Sequence, residues 1–245
     1  KVTKLRGGNF QVKASNVLDG GEFVFDSNEA GNLVLENSYS GTWYNKWELK
    51  NGALSESESV VNTTHGISST DTGARAYLRL TGTPKVAEQR FTGQLYATGG
   101  ISFEPSVKQA GGADYVFTIA KSVSTAGGGL SVTNGTMRLI EGATFGNLQI
   151  VNVGSGATFE VATGSGALFS CGALDVAVGG KLKLGAGVTL AFGKNVTVAG
   201  TPLAEGVYTA SGADDTIAAN WIEGDGQVTV STVPIIDPIT LDVAS

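Results

Sequence analysis

The chain has 245 residues, of which 41% are hydrophobic, 36 are glycine and only 5 are proline, and its formal net charge is -6. An intrinsically disordered chain would be poorer in apolar residues, and collagen would require more proline and a glycine at every third position. Because charged residues are sparse and no broad basic surface is available to neutralise phosphates, we expect no nucleic-acid partner. The abundant glycines indicate turns between many short strands.

Short β-strand candidates, bounded by Gly, Asn or Ser, occur throughout the N-terminal half. They are residues 21–25, 32–35, 47–49, 77–80, 101–103 and 116–119. Their β-branched and aromatic residues are typical of strands. The turns between them are long, and the longest is the polar stretch from Ser55 to Thr72. We therefore expect wide, loop-bearing coils over residues 1–125.

A repeat runs through residues 127–198. Residues 130–139 contain two alternating strands separated by an Asn-Gly pair, and two later segments, 150–161 and 174–184, repeat that plan. Alternation in such a segment, as in its Lys-Leu-Lys-Leu run, sends apolar side chains inward and polar side chains to solvent. No helical period competes with this pattern.

Two alignments measure the period of the repeat. One aligns the apolar positions Leu139, Val161 and Leu184, and the other aligns turn glycines, at positions 135, 156 and 180. Both give a period of about 22 residues, which suits one coil of a β-solenoid, in which each short strand pairs with its equivalent in the next coil. The sequence therefore predicts an all-β, parallel β-solenoid, with a single domain over residues 1–230 and regular coils over residues 126–230.

These residues resemble a known group of proteins. Residues 128–139 (GGLSVTNGTMRL), followed by residues 153–159 (VGSGATF), resemble the autotransporter-associated β-strand repeats of bacterial surface proteins. Residues 202–209 and 221–230 are similar to the terminal coil of many such β-helix proteins. The resemblance implies a right-handed parallel β-helix that is displayed outside the cell and has an adhesive or structural role. It implies no catalytic residue set.

The C-terminal segment, residues 231–245, contains a short amphipathic strand. Two of the five prolines precede that strand and indicate an extended linker. The strand places three apolar residues on one face: Ile239, Leu241 and Val243. Such a strand needs a partner to bury this face. It either folds back to cap its own solenoid, leads to a further domain, or adds to the next subunit and propagates a head-to-tail filament.

A carbohydrate-active enzyme is the main alternative, because many parallel β-helices cleave polysaccharides. Glycoside hydrolysis requires two carboxyl groups about 5 to 9.5 Å apart. The candidate pairs are Asp214 with Asp215, Glu223 with Asp225, and Glu56 with Glu58. Side chains of the first pair point apart on an extended backbone, and the other pairs are typical of a turn and a solvated loop. We therefore expect no hydrolase or lyase activity, although a groove lined by three or more carboxylates and a Lys or Arg would favour an enzyme.

Three aromatic residues are candidates for a carbohydrate-binding platform: Trp43, Tyr44 and Trp47. Their flat apolar faces can stack on sugar rings, so host or matrix glycans are candidate partners. Strand alternation puts Trp43 and Trp47 on one side and Tyr44 on the other. The alternative is therefore that at least part of this set belongs to the core.

Two isolated residues are candidates for metal or redox chemistry. His65 has no second histidine or cysteine cluster to accompany it, so we expect no metal and no cofactor. Cys171 is the only cysteine, and its apolar flanks predict a buried, inert thiol. No run approaches the roughly 20 apolar residues of a transmembrane helix, so we expect no direct membrane insertion. The sequence thus predicts a non-enzymatic, extracellular or cell-surface structural protein, whose partners are copies of itself or glycans.

Overall fold

The structure is a computed structural model, and it describes most of the chain. The described residues are 2–4, 10–13, 16–25, 32–36, 45–56, 66–70, 76–91, 94–97, 99–120, 122–124, 128–140, 143–146, 150–162, 168–210 and 220–231. They form strands, turns and connecting segments, and no helix occurs among them. The prediction of an all-β chain is therefore confirmed.

Twenty-six strands occur among the described residues. The first thirteen are β1 Val2–Lys4, β2 Phe10–Lys13, β3 Asn16–Asp19, β4 Glu22–Phe25, β5 Asn32–Glu36, β6 Asn45–Lys50, β7 Ala53–Glu56, β8 Gly66–Thr70, β9 Ala76–Gly82, β10 Glu88–Phe91, β11 Gln94–Tyr96, β12 Gly100–Pro105 and β13 Val116–Ile119. The others are β14 Ser122–Ser124, β15 Gly129–Val132, β16 Thr136–Leu139, β17 Thr144–Gly146, β18 Ile150–Val153, β19 Thr158–Val161, β20 Leu168–Val176, β21 Lys181–Leu184, β22 Thr189–Val198, β23 Thr201–Pro202, β24 Gly206–Thr209, β25 Ile222–Gly224 and β26 Gln227–Val230.

The strands form four sheets. Sheet I has eleven strands, ten in the order β24-β26-β22-β20-β18-β15-β12-β9-β6-β3 and β23 beside β22. Sheet II has the order β10-β13-β16-β19-β21-β25, and sheet III has the order β17-β14-β11-β8-β5-β2. Sheet IV has the order β1-β4-β7. Nearly all of the pairs between these strands are parallel.

The chain visits the sheets in rotation. Strands β9, β10 and β11 lie in sheets I, II and III, and strands β12, β13 and β14 return to the same sheets in the same order. Each returning strand pairs in parallel with the strand three places earlier in the chain. Sheet IV takes the place of sheet II in the first repeats, through β4 and β7. Neighbouring strands of a sheet therefore come from successive repeats of the chain.

The repeats differ in length between the two halves of the chain. One inward position of sheet I is occupied in successive repeats by Leu49, Leu80, Phe103 and Val132. The same position is then occupied by Val153, Val176 and Val198. The intervals within the first group are mostly longer, whereas those after Val132 agree with the period of about 22 residues found in the sequence. The division into wide coils over residues 1–125 and regular coils over residues 126–230 stays a prediction.

The predicted register of the apolar positions is confirmed, whereas that of the turn glycines is wrong by one residue. Val161 lies opposite Leu139 on one neighbouring strand and opposite Leu184 on the other. The left-handed turn conformation occurs at Gly156 and at Gly179, with φ of 71° and 75°, and not at Gly180. The turn before β19 and the turn before β21 are each longer by one residue than the turn before β16. The extra residue displaces the left-handed glycine by one position relative to the strand.

A hydrophobic cluster fills the space between the sheets. Alternation along the strands produces it: in β19, Phe159 and Val161 are buried whereas Thr158 and Glu160 are partly exposed. The largest fully buried side chains of the cluster are phenylalanines, at positions 23, 91, 103, 117, 159 and 192. The rings of Phe103 and Phe117 lie 5.8 Å apart between centroids, so sheets I and II pack face to face through aromatic side chains.

A glutamine occupies an inward position between the last strand of sheet IV, β7, and the first strand of sheet II, β10. Gln89 lies on the inward side of β10 and is only 2% exposed. Its side-chain Oε1 accepts a hydrogen bond from the main-chain N–H of Leu54 in β7, at 2.7 Å. A buried amide is tolerated only when it is hydrogen-bonded, so this contact accounts for a polar residue in the core. It also links the two sheets.

The parallel stack ends in antiparallel strands. Strand β23 pairs with β22 around a tight turn formed by Ala199 and Gly200, whose φ angles are 50° and 79°. Positive φ at both positions is typical of the type I′ turn of a two-residue hairpin. Strand β24 then pairs antiparallel with β26 and is the first strand in the order of sheet I, at one edge of the sheet. The antiparallel strands therefore cover the end of sheet I that is nearest to the C-terminus.

Candidate functional site

The outward face of sheet II carries a row of charged side chains. Arg138 of β16, Glu160 of β19 and Lys183 of β21 occupy the same register position on three adjacent strands. They are outward because the adjacent residues of each strand face the core. The parallel register thus brings together three charges that lie one full repeat apart from each other in the sequence.

Glu160 is the centre of this charged row. Its Oε2 accepts a hydrogen bond from Nε of Arg138 at 2.8 Å, and its Oε1 lies 3.2 Å from Nζ of Lys183. The side chain is only 14% exposed. Burial alone raises the pKa of the Glu160 carboxyl, but the hydrogen bonds and charges of Arg138 and Lys183 outweigh it, so the pKa lies below its ordinary value. Glu160 is therefore held as a carboxylate.

The charged row continues on both sides. Nη1 of Arg138 lies 3.7 Å from Oε1 of Glu88 in β10, and the same Oε1 accepts a hydrogen bond from the Thr118 hydroxyl at 2.6 Å. On the other side, Lys181 pairs with Glu223 of β25. Glu223, one of the candidate catalytic carboxylates, is therefore engaged in an ion pair that joins two neighbouring strands.

Sheet I has a second charged group on its outward face. Nε and Nη2 of Arg79 donate to the two carboxylate oxygens of Glu104, at 3.0 and 2.5 Å. Nη1 of Arg79 lies 3.8 Å from Glu48, which also accepts a hydrogen bond from Thr81. The hydrogen bonds from Arg79 to Glu104 raise the pKa of the guanidinium. The group connects β6, β9 and β12 across three successive repeats.

A shallow groove of about 320 Å³ lies at the edge of sheet II, beside the turns that follow β19, β21 and β25. Its polar side chains are Glu160, Lys183 and Asp225, and its walls include the small residues Ala162 and Ala186. Among the described residues, no side chain pairs with the carboxylate of Asp225. The groove thus combines one unpaired carboxylate, one lysine ammonium group and a small apolar wall.

The Glu160 carboxylate of this groove lacks the raised pKa that a glycosidase acid needs. A glycosidase acid must hold a proton near neutral pH, which requires a raised pKa. Arg138 and Lys183 lower the pKa of Glu160 instead. The groove is lined by two carboxylates and one lysine. The sequence criterion for an enzyme was a groove with at least three carboxylates and a Lys or Arg.

Most of the other residues singled out in the sequence lie outside the described residues. These are Trp43, Tyr44, Glu58, His65, Asp214, Asp215, Ile239, Leu241 and Val243. Trp47 lies in β6, opposite Leu78 of β9, and Glu56 ends β7, but their side chains are not described. Cys171 lies in β20 opposite Phe192, beside a register shift, and its side chain is likewise not described. The aromatic platform and the assembly strand therefore stay predictions.

The described part of the chain has neither a metal-binding cluster nor a membrane-spanning helix. No three His, Cys, Asp or Glu side chains within it lie close enough together to hold a metal ion. No helix in the same part is long and apolar enough to cross a membrane.

The charged row was missed by the sequence reasoning, although a signal for it was present. The register of Leu139, Val161 and Leu184 implies that the preceding residues, Arg138, Glu160 and Lys183, are also in register. Their alternating charges would have predicted the ion pairs. Asp225 could not have been placed beside Glu160 in this way, because it lies in a turn that follows a strand of another repeat.

The chain has no match among family models, curated proteins or solved structures. Its function must therefore be inferred from its own side chains, and Glu160, Lys183 and Asp225 are the polar ones that share a groove.

Proposed function

We propose that the chain is a right-handed parallel β-helix that serves as a non-enzymatic structural protein, secreted or on the cell surface, either as an adhesin-like stalk or as a self-assembling subunit. The observation that carries this proposal is that the outward charges of sheets I and II bond to each other along the stack of strands. The charge pairs of Arg138 with Glu160 and of Arg79 with Glu104 connect neighbouring repeats. Such pairs engage these charged groups with each other along the outer wall, which suits a structural role.

The rotation of the chain through three parallel sheets supports the helical part of the proposal. Connections between parallel strands of one sheet are right-handed in about 98% of cases, because of the twist of strands. In sheet I, nine of the described strands run parallel, from β3 to β26. At about 4.8 Å between neighbouring strands, they extend over roughly 40 Å. The resemblance of residues 128–159 to repeats of bacterial surface proteins supports an extracellular location.

The proposed filament would form through the C-terminal strand. Ile239, Leu241 and Val243 would add as a strand to the next copy, and the contact would be head-to-tail because donor and acceptor surfaces differ. The alternative is that the same strand covers its own solenoid. The two alternatives differ in the mass of the particle in solution.

The test compares the mass of the full chain with that of a chain that lacks residues 231–245, by light scattering and negative-stain electron microscopy. We expect filaments or higher oligomers for the full chain and monomers after truncation. Leu241→Asp should give the same loss, whereas Thr240→Asp, on the opposite side of the strand, should retain assembly. A full-length chain that is monomeric at high concentration refutes assembly.

A second test concerns location and catalysis. An antibody against the purified chain should label intact cells of the organism that makes it, or should detect the chain in the culture medium. Incubation of the chain with neutral and acidic polysaccharides should generate no new polysaccharide chain ends. Cleavage that is abolished by Asp214→Asn or Asp215→Asn would refute the structural role and favour a carbohydrate-active enzyme.

Carbohydrate binding is a second candidate function, and the groove favours it. The carboxylate of Asp225, which no described side chain engages, can accept hydrogen bonds from sugar hydroxyls, and the ammonium group of Lys183 can donate them. The volume of about 320 Å³ is at the small end of the range for ligand sites and suits one sugar ring. Titration calorimetry with neutral, acidic and amino-sugar oligosaccharides tests this function. Asp225→Asn should weaken any binding, whereas Glu223→Gln, which does not line the groove, should not.

A further inference from the structure

The sequence contains two Asn-Gly pairs, Asn51-Gly52 and Asn134-Gly135, and their side chains are held in different ways. Asn-Gly pairs are the sites at which a main-chain nitrogen most easily attacks the preceding carboxamide, because glycine has no side chain to obstruct the approach. Both pairs lie in turns between strands, so both share the same local chemistry. The structure separates them through the contacts of the two asparagine side chains.

The Asn51 carboxamide is held on both of its polar atoms. Its Nδ2 donates to the Asp19 carboxylate at 2.8 Å, and its Oδ1 accepts from the main-chain N–H of Thr83 at 2.9 Å. Asp19 lies in the preceding repeat and Thr83 in the following one. The carboxamide thus bridges three repeats, and its rotation toward the nitrogen of Gly52 would break two hydrogen bonds.

The Asn134 carboxamide contacts its own following residue instead. The main-chain N–H of Gly135 donates to Oδ1 of Asn134 at 2.9 Å, so this nitrogen is in contact with the carboxamide that it would attack. The neighbouring N–H groups of Thr133 and Thr136 bond to Phe103 and Tyr115 of adjacent repeats. The nitrogen of Gly135 is therefore close to its target while the chain on both sides of it is held by the sheets.

We propose that Asn134 is a site of spontaneous deamidation in the folded protein and that Asn51 is protected from the same reaction. The main-chain nitrogen of Gly135 loses its proton and forms a bond to Cγ of Asn134. The bond from Cγ to Nδ2 breaks, and ammonia leaves with a proton, so a five-membered succinimide ring remains. Water then opens the ring at either carbonyl and leaves aspartate or isoaspartate.

The product changes the turn between sheets I and II. Either product adds one negative charge beside Gly135, and isoaspartate also adds one methylene group to the main chain. The turn joins Val132 and Thr136, whose register with neighbouring strands is defined on both sides. An additional main-chain atom must therefore displace one of these strands. The modification would thus destabilise one defined repeat of the protein as it ages outside the cell.

The experiment incubates the folded chain in mildly alkaline buffer at physiological temperature and quantifies aspartate and isoaspartate at both positions by peptide mapping. We expect deamidation at Asn134 to exceed that at Asn51 by about 10- to 100-fold, since misplacement of reacting groups by about 1 Å costs up to that factor. In denaturant, the two positions should react at rates within about threefold of each other, because the contacts that separate them are absent.

A variant tests the protection of Asn51 directly. Asp19→Ala removes the acceptor of Asn51 Nδ2 and should raise deamidation at Asn51 several-fold while that at Asn134 stays unchanged. Equal rates at the two positions of the folded chain would overturn the proposal. The same conclusion would follow from faster deamidation at Asn51 than at Asn134, or from a ratio of rates that persists unchanged in denaturant.

Discussion

Leu139 and Val161 lie directly opposite each other on the adjacent parallel strands β16 and β19, and both side chains are fully buried. Leu184 continues the same row on β21. Each residue of the row therefore packs against its equivalents in the repeats before and after it. A change at one position acts on two interfaces between repeats.

Replacement of Val161 by aspartate should prevent stable folding. The charge would be buried in the cluster without a partner, and such a burial costs more than the whole stability of an ordinary domain unless the group takes up a proton. Val178→Asp is the matched control, because Val178 is 68% exposed, and it should change the free energy of unfolding by less than about 0.5 kcal/mol. Thermal unfolding followed by circular dichroism measures both. A Val161→Asp protein with an unchanged melting temperature would contradict this packing.

Glu160 should make the stability of the chain depend on pH. Its pKa in the folded protein lies below the ordinary value of 4.5. The stabilisation is therefore fully present above the unfolded pKa and is lost as the pH falls through the folded pKa. Glu160→Gln should lower the free energy of unfolding by about 1 to 2 kcal/mol at neutral pH, after allowance for solvent screening, and by much less in acid.

Denaturant titrations at neutral and acidic pH measure this difference for Glu160→Gln. Glu223→Gln is the control on the same sheet, because its ion pair with Lys181 is far more exposed, and its effect should stay below about 1 kcal/mol. A loss for Glu160→Gln that is the same at both pH values would contradict the role of its charge.

A methyl group at position 82 should destabilise the turns of the N-terminal repeats. Gly20, Asn51 and Gly82 occupy equivalent positions at the ends of β3, β6 and β9, with φ of 65°, 49° and 75°. A Cβ at Gly82 would collide with the side chain of Asn51, whereas one at Gly20 would meet no atom within 4 Å. We expect a loss of about 1 kcal/mol for Gly20→Ala from backbone strain alone, and of about 2 to 4 kcal/mol for Gly82→Ala. Chemical denaturation compares them, and equal losses would show that the contact with Asn51 has no energetic effect.

Gln89 should contribute to stability through one buried hydrogen bond. Gln89→Met keeps the approximate shape of the side chain but leaves the main-chain N–H of Leu54 without its acceptor. We expect the free energy of unfolding to fall by about 1 to 3 kcal/mol. Gln227→Met, at a half-buried position of β26, should have a smaller effect. A stabilised Gln89→Met protein would show that the apolar contacts of methionine outweigh the lost bond.

Alternation and period in the sequence predicted the strands and part of their register. The segments 21–25, 32–35, 47–49, 77–80, 101–103 and 116–119 all contain strands. The row of Leu139, Val161 and Leu184 was also predicted, because a buried position in a parallel stack favours an apolar residue in successive repeats. These features depend on a local rule that every repeat obeys, so one sequence is enough to recognise them.

Only the tertiary structure decided where the polar groups meet. The groove brings Asp225 beside Glu160 and Lys183, which lie on strands of other repeats, and turn lengths that alternation does not reveal set this arrangement. The antiparallel strands β23 and β24 and the glutamine at position 89 depend in the same way on what lies across the sheet. The sequence by itself determined which face of most strands is apolar, because burial selects residue type at nearly all inward positions. The tertiary structure decided which outward groups become partners, because contacts between distant residues depend on the length and path of every turn between them.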